Sequence, residues 1–341
     1  MATTASSNTL IARDRLDELL EGARGRRVAI VGDAMLDVYL RGDAERISPE
    51  APVPVVRVRE RKYALGGAAN VAQNVAAAGA SCALIAAVGD DEAGRMLTRM
   101  LTAVHPTASA LVRVARPTTQ KTRVLARGQQ VVRFDEEEDS ELDQIDGERM
   151  LAAVAAAIED ADALVFEDYN KGVLVPRLIE GAISLATKRG IPVIVDPKYR
   201  NFFCYRGATV FKPNRRELEA AMGAAVDLEH PEGLPSTFQR LGVGHLLLTL
   251  GEQGMVLIAS GGETRRIPTT ARDVYDVVGA GDTVTAYLAT SLAAGASAYE
   301  AAVVANYAAG VEVGKLGAAT VTPDEIGEAY EAHIEGLGVR Y

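Results

Sequence analysis

Short stretches that are apolar at every position alternate with longer alanine-rich stretches, and this rhythm limits the architectures open to the chain. "RRVAIVGD" (26–33), "CALIAAVGD" (82–90), "ALVFED" (163–168) and "IPVIVDPK" (191–198) read as strands, and "GHLLLTLGEQG" (244–254) as a strand with a glycine turn. Between them, "AANVAQNVAAAGA" (68–80), "GRMLTRMLTAV", "MLAAVAAAIEDA", "PRLIEGAISLATKRG" and "NRRELEAAMG" read as helices. Strands without a polar face have both faces covered, so the pattern predicts a mostly parallel sheet with helices on each side. Ligands of such sheets sit beyond the carboxyl ends of the strands. Several strands here end in chemistry: Asp33, Asp90, Glu167 and Asp168, Asp196, and Thr249.

Two stretches break the rhythm. Residues 41–63 carry three prolines and then an alternating pattern, and residues 118–135 read as two strands around Arg-Gly-Gln. Both are expected to form a small antiparallel β lid standing off an α/β domain of residues 1–40, 64–117 and 136–341. The acidic run 135–143 reads as a solvated loop.

Charge and composition narrow the function classes. A net charge of −10 argues against nucleic acid as a partner. No apolar run approaches the ~18 residues of a membrane span, and "MATTASSNTL" lacks a signal-peptide core. Two cysteines, Cys82 and Cys204, cannot build a metal cluster alone and suggest a reducing compartment. The expected location is the cytoplasm. Neither G-x-x-x-x-G-K-[ST] nor a strand-linked G-x-G-x-x-G occurs, and the four histidines are scattered.

"DVVGAGDTV" (276–284) is the most telling motif. Gly279, Ala280 and Gly281 strip side chains from the point where a helix begins. Backbone N–H groups of residues 279–282 can then converge on one anion, helped by the positive end of the helix. Asp282 stands at the mouth of this cradle, where a carboxylate repels an anion unless it has a task. Taking a proton from a hydroxyl that attacks a phosphoryl group is such a task. On spacing alone, Asp282 also reads as an ordinary helix cap.

The motif resembles the second signature of the ribokinase family of carbohydrate kinases, the PfkB group. "LGGAANVAQNVAAAGA" (65–80) resembles the first signature, "KPNRRE" (212–217) the Asn-x-x-Glu motif, and "TLGEQG" (249–254) the nucleotide-binding turn, all in the family's order. "GDAMLDVY", "RISPEAPVPVV", "VDPK", "YRGAT" and "DVYDVVGAGDTV" are similar, more narrowly, to the kinase part of heptose-7-phosphate kinases. Many of those carry a nucleotidyltransferase domain after the kinase. With no H-x-G-H before Tyr341, that second activity is expected to be missing.

The resemblance implies a ribokinase-like α/β fold and ATP-dependent phosphorylation of the anomeric hydroxyl of D-glycero-β-D-manno-heptose 7-phosphate. Lipopolysaccharide precursor synthesis is the setting it implies. Asp282 is then the base, with Gly279, Ala280 and Gly281 as the anion hole. Asp33, Gly66, Gly67 and Asn70 are expected around the sugar, with Asp37 as a weaker candidate. Lys198 and Arg123 are expected on the distal phosphate, where arginine suits bidentate contact. Asn214, Glu217, Thr249, Gly251, Gly254 and Asn306 are expected around ATP. Asn214 and Glu217 share a helix face and suit water-mediated Mg2+ binding, although the same spacing is a capping box. Val277 and Val278 replace the family's usual hydroxyl residues, which puts any K+ site that used a hydroxyl there in doubt. The lids are expected to pair in a homodimer, with Val53, Val55, Val58, Val124, Val131 and Phe134 supplying apolar surface. Another sugar or nucleoside kinase of the fold, or a non-catalytic binding regulator, are the competing readings. Retention of Asp282 speaks against the regulator.

Overall fold

The computed structural model describes residues 11–104, 110–227, 235–271 and 274–336. The ends of the expected α/β domain, 1–10 and 337–341, lie outside the described residues. In chain order the strands are β1 (Arg27–Gly32), β2 (Ala34–Ile47), β3 (Pro54–Gly67), β4 (Ser81–Val88), β5 (Ala110–Arg113), β6 (Gln120–Ala126) and β7 (Gln129–Glu136). They continue as β8 (Ala163–Glu167), β9 (Val193–Asp196), β10 (Val210–Phe211), β11 (His245–Thr249), β12 (Met255–Ala259) and β13 (Thr264–Ile267). The helices are α1 (Arg13–Gly22), α2 (Ala68–Ala77), α3 (Glu92–Val104), α4 (Gln144–Ile158) and α5 (Pro176–Arg189). After these come α6 (Arg215–Met222), α7 (Pro235–Leu241), α8 (Ala280–Ala293), α9 (Ala298–Glu312) and α10 (Pro323–Gly336).

Nine strands form one sheet in the order β13-β12-β11-β10-β9-β8-β1-β4-β5. It is parallel except where β12 pairs with β11 and β13. Alternation along each strand divides its apolar side chains between two cores. Val28 and Ile30 face the core that takes in Val71 of α2, Val284 of α8, Val304 of α9 and Ile326 of α10. Ala29 and Val31 face the other, with Met150 of α4, Leu178 of α5 and Leu218 of α6. This two-sided burial explains why the strands are apolar at every position.

The second sheet has the order β3-β2-β6-β7. Its outer pairs, β2–β3 and β6–β7, are antiparallel, as expected for the lid, while β2 and β6 run parallel in the middle. The cause is that both continue strands of the parallel sheet: β2 follows β1 after one residue, and β6 follows β5, so they leave in the same direction. The strands reach Ala34 at one end and Gly67 at the other, past the expected boundaries of 41 and 63. The sheet therefore roots in the site itself. Of the residues expected to give it an apolar face, Val53, Val58, Val131 and Phe134 are exposed, Val55 is half-buried and Val124 is buried. Val132 is also exposed.

Candidate active site

The carboxyl ends of β1, β8, β9, β10 and β11 converge on the N-terminus of α8. Gly279 caps that helix with φ of 97°, a left-handed conformation in which an L side chain is strained. Asp282, in the first turn, is 4% exposed. Its Oδ2 accepts from Asn70 Nδ2 at 2.7 Å and its Oδ1 from the Tyr169 hydroxyl at 2.8 Å. Asn70 is held in turn, its backbone carbonyl accepting from Asn74 Nδ2 at 3.0 Å. Burial pushes the Asp282 carboxyl up to about 6, against these two hydrogen bonds, and the charge of Asp196 adds to the rise. A carboxylate with raised proton affinity is a stronger base than a solvated one.

On one side of Asp282 lies a cleft of about 770 Å³. It brings together Ala280, Gly281, Asn214, Glu217, Thr249, Gly251, Gly254 and Asn306. Val274, Val277, Val284, Ala309 and Val313 give it an apolar wall, and Lys198 and Lys212 line the part nearest Asp196 and Gly281. An apolar slot, a glycine turn, two ammonium groups and a helix N-terminus fit the base and phosphates of a nucleotide. Asn306 reaches this cleft but commits its side-chain amide to the Pro268 carbonyl at 2.8 Å.

Asn214 and Glu217 form a reciprocal capping box on α6. The Asn214 side chain accepts from the Glu217 N–H at 2.9 Å, and Glu217 Oε2 accepts from the Asn214 N–H at 2.8 Å. Glu217 Oε1 pairs with Lys198. Burial opposes the charge on Lys198, but Asp196 and Glu217 outweigh it and hold the ammonium above its ordinary pKa. The structure thus places Lys198 on the cleft side, against Glu217. Glu217 keeps lone pairs toward the cleft, so its oxygen chemistry fits a hydrated magnesium ion beside nucleotide phosphates.

On the other side of Asp282 stands the small sheet. Its register puts Asp37 opposite Lys121, and Tyr39 opposite Arg123. Asp37 is 6% exposed and pairs with Arg123. The Lys121 amine lies 5.2 Å from the centre of the Tyr169 ring, whose hydroxyl holds Asp282. Burial lowers the pKa of Lys121, with the charge of Asp37 opposing. Lys121 has no carboxylate within ion-pair distance among the described residues. Gly66 lies against Asp37: a Cβ there would sit 2.6 Å from Asp37 Oδ2. Gly67 takes φ of 56° as it opens α2, so the pair brings backbone close to this face.

Asp33 differs from the expectation that it meets sugar hydroxyls. Its Oδ2 accepts from the Tyr169 N–H at 2.8 Å and the Lys171 N–H at 3.0 Å, and its Oδ1 from the Val173 N–H at 3.3 Å. Burial raises its pKa while these amides oppose the rise. Asp33 therefore braces the turn that carries Tyr169, while Asp37 is the buried acid on the small-sheet face, paired with Arg123. Tyr169, Lys121 and Lys212 were given no role in the sequence. The available signals were position just past a strand end for Tyr169 and Lys212, and two-residue parity with Arg123 for Lys121.

A family model described as "pfkB family carbohydrate kinase" matches residues 26–325. The chain belongs to the pfkB family of carbohydrate kinases. It is an ATP-dependent sugar kinase with a ribokinase-like fold. It is 45% identical over 329 residues to the "Bifunctional protein HldE" of Caulobacter sp., covering 94% of this chain and 66% of that relative. The protein of the same name from Rhodospirillum rubrum is 43% identical, with 95% and 66% covered. The chain thus spans just under two thirds of the length of these curated relatives. Among solved structures, phosphofructokinase-2 from Escherichia coli in complex with potassium superposes with a TM-score of 0.74 at 22% identity, covering 90% of this chain and 99% of that one. Ribokinase from Arabidopsis thaliana complexed with ribose and ATP gives 0.69 at 20%, covering 89% and 98%. Both share the fold.

Proposed function

We propose that this kinase transfers the γ-phosphoryl group of ATP to the anomeric 1-hydroxyl of D-glycero-β-D-manno-heptose 7-phosphate, giving the 1,7-bisphosphate. The product would serve as a lipopolysaccharide heptose precursor. The observation that carries the reading is Asp282, held by Asn70 and Tyr169 between a nucleotide-shaped cleft and a sheet face bearing Asp37, Lys121 and Arg123. The similarity to proteins named bifunctional HldE across more than nine tenths of the chain supports the substrate class.

Asp282 accepts the proton of the attacking hydroxyl. Backbone N–H groups at the head of α8 face the moving phosphoryl, and Lys198 and Lys212 offset charge on the nucleotide side. Glu217 and Asn214 would hold a magnesium ion through water, and the ion would supply charge neutralisation at the ATP phosphates. Asp37 and Asn70 accept and donate to sugar hydroxyls. Lys121, with Arg123, takes the distal phosphate: among the described residues Lys121 has no carboxylate at ion-pair distance, whereas Lys198 pairs with Glu217 on the nucleotide side.

The small sheet also carries a homodimer in this reading. Register and alternation place Val132 and Phe134 on the face opposite Asp37 and Lys121, and both are exposed. A second copy would cover them by two-fold symmetry.

An ATP-consumption panel against heptose 7-phosphate, other sugar phosphates and free sugars tests the proposal. The expected result is a kcat/KM for heptose 7-phosphate at least ~10²-fold above that for unphosphorylated sugars, the usual scale for a lost phosphate contact. Preference for a free sugar or a nucleoside would overturn it.

A further inference from the structure

Glu167 closes β8, Asp196 closes β9 and Asp282 opens α8. Each offers a carboxylate oxygen, these atoms lie within 4.8 Å of one another, and all three side chains are buried. Both Glu167 oxygens are fully buried without a hydrogen-bond partner. Lys212 answers one charge of the cluster, donating to Asp196 Oδ2 at 2.8 Å. Lys198 is the next ammonium and is shared with Glu217, so the three carboxylates are only partly compensated in a place where buried charge is costly. Phosphoryl transfer as described above makes no use of Glu167.

We propose that Glu167, Asp196 and Asp282 form a binding site for a hard divalent cation of the magnesium or manganese class, filled in the absence of nucleotide. A divalent ion would supply positive charge that Lys212 and the shared Lys198 leave short. The spacing fits as well. Oxygens at about 2.1 Å from one ion stand roughly 3.0 Å apart when adjacent and 4.2 Å when opposite, so oxygens within 4.8 Å of one another close on an ion by at most about 2 Å, within reach of side-chain rotation. The donor chemistry fits, since an all-oxygen set selects magnesium or manganese over softer metals. Asp282 keeps a free lone pair on each oxygen beyond those used by Asn70 and Tyr169. The site is distinct from the hydrated magnesium at Glu217 and Asn214, which would arrive with ATP phosphates. It does not depend on which sugar is phosphorylated.

The probe is Mn2+ alone, titrated into the full chain without nucleotide and followed by the EPR signal of the free ion. The expected result is one bound Mn2+ per chain, displaced by Mg2+, with affinity at least tenfold weaker in Glu167→Gln and unchanged in Glu217→Gln. Should Glu167→Gln fail to fold by circular dichroism, Asp196→Asn is expected to show the same loss. Absence of stoichiometric Mn2+ in the wild-type chain would overturn the proposal and leave Glu167 as a buried neutral acid. So would a folded Glu167→Gln that binds Mn2+ as tightly as wild type, or binding lost on Glu217→Gln alone.

Discussion

Glu312 gives the sharpest test of how this fold handles buried charge. It closes α9, is 0% exposed, and neither oxygen makes a hydrogen bond of normal geometry among the described residues. Burial, reinforced by the charges of Asp276 and Asp282, pushes its carboxyl from an ordinary 4.5 up to about 8, while Lys315 and the Ala319 amide oppose the rise. Because the folded chain holds this proton more tightly than the unfolded chain, the associated stability is complete below pH 4.5. It drains away as pH rises toward 8. Each pH unit in that window costs about 1.4 kcal/mol, which sets a ceiling of about 5 kcal/mol; relaxation and water entry reduce it to roughly 2–4 kcal/mol. Glu312→Gln keeps the shape and removes the proton equilibrium. With an unfolding entropy of about 2.1 cal/mol/K per residue, the 341-residue chain should gain roughly 3–6 °C in Tm over wild type at pH 8. The two should lie within about 1–2 °C at pH 5. Differential scanning calorimetry at the two pH values reads both numbers. Parallel pH dependences would refute the assignment of a buried neutral acid. A variant less stable than wild type at pH 8 would show that the ionised carboxylate is paired after all.

Asp282→Asn should lower kcat by roughly 10²–10⁴ while leaving the Kd for ATP within about twofold, since Asn70 and Tyr169 can rotate to bond an amide; near-normal turnover refutes the base assignment. Lys121→Ala should raise KM for the phosphorylated sugar by ~10-fold or more with little change for ATP, whereas Lys198→Ala should act mainly on ATP; the reverse pattern would return the distal phosphate to Lys198. Val132→Asp and Phe134→Asp should each shift a dimer to monomer in light scattering at micromolar concentration, and a wild-type chain already monomeric there rules out pairing through the small sheet.

The layered fold was legible because it rests on periodicity. Strands such as Val28–Val31 carry apolar side chains to both faces, and only a sheet covered twice produces that record. The glycine-opened start of α8 was legible because glycine leaves a positional mark: φ of 97° at Gly279 is a backbone requirement that the residue type announces. Side-chain partnership leaves no such mark. Asp33 and Asp37 both sit at the start of the small sheet, and nothing in "GDAMLD" says that three amides from residues 169–173 saturate the first while the second faces Arg123. Lys198 and Lys121 are equally cationic in the sequence, and the fold sets both against the Tyr169 ring but brings Glu217 to Lys198 alone. The same limit hid Glu167. As a strand-end carboxylate it was indistinguishable from Asp90, yet Asp90 is exposed and paired with Arg113, while Glu167 is sealed beside two further acids. Burial converts an ordinary acid into one that needs a proton or a cation. It is a property of three strand ends meeting a helix, assembled from positions 167, 196 and 282, so no local window of the sequence contains it.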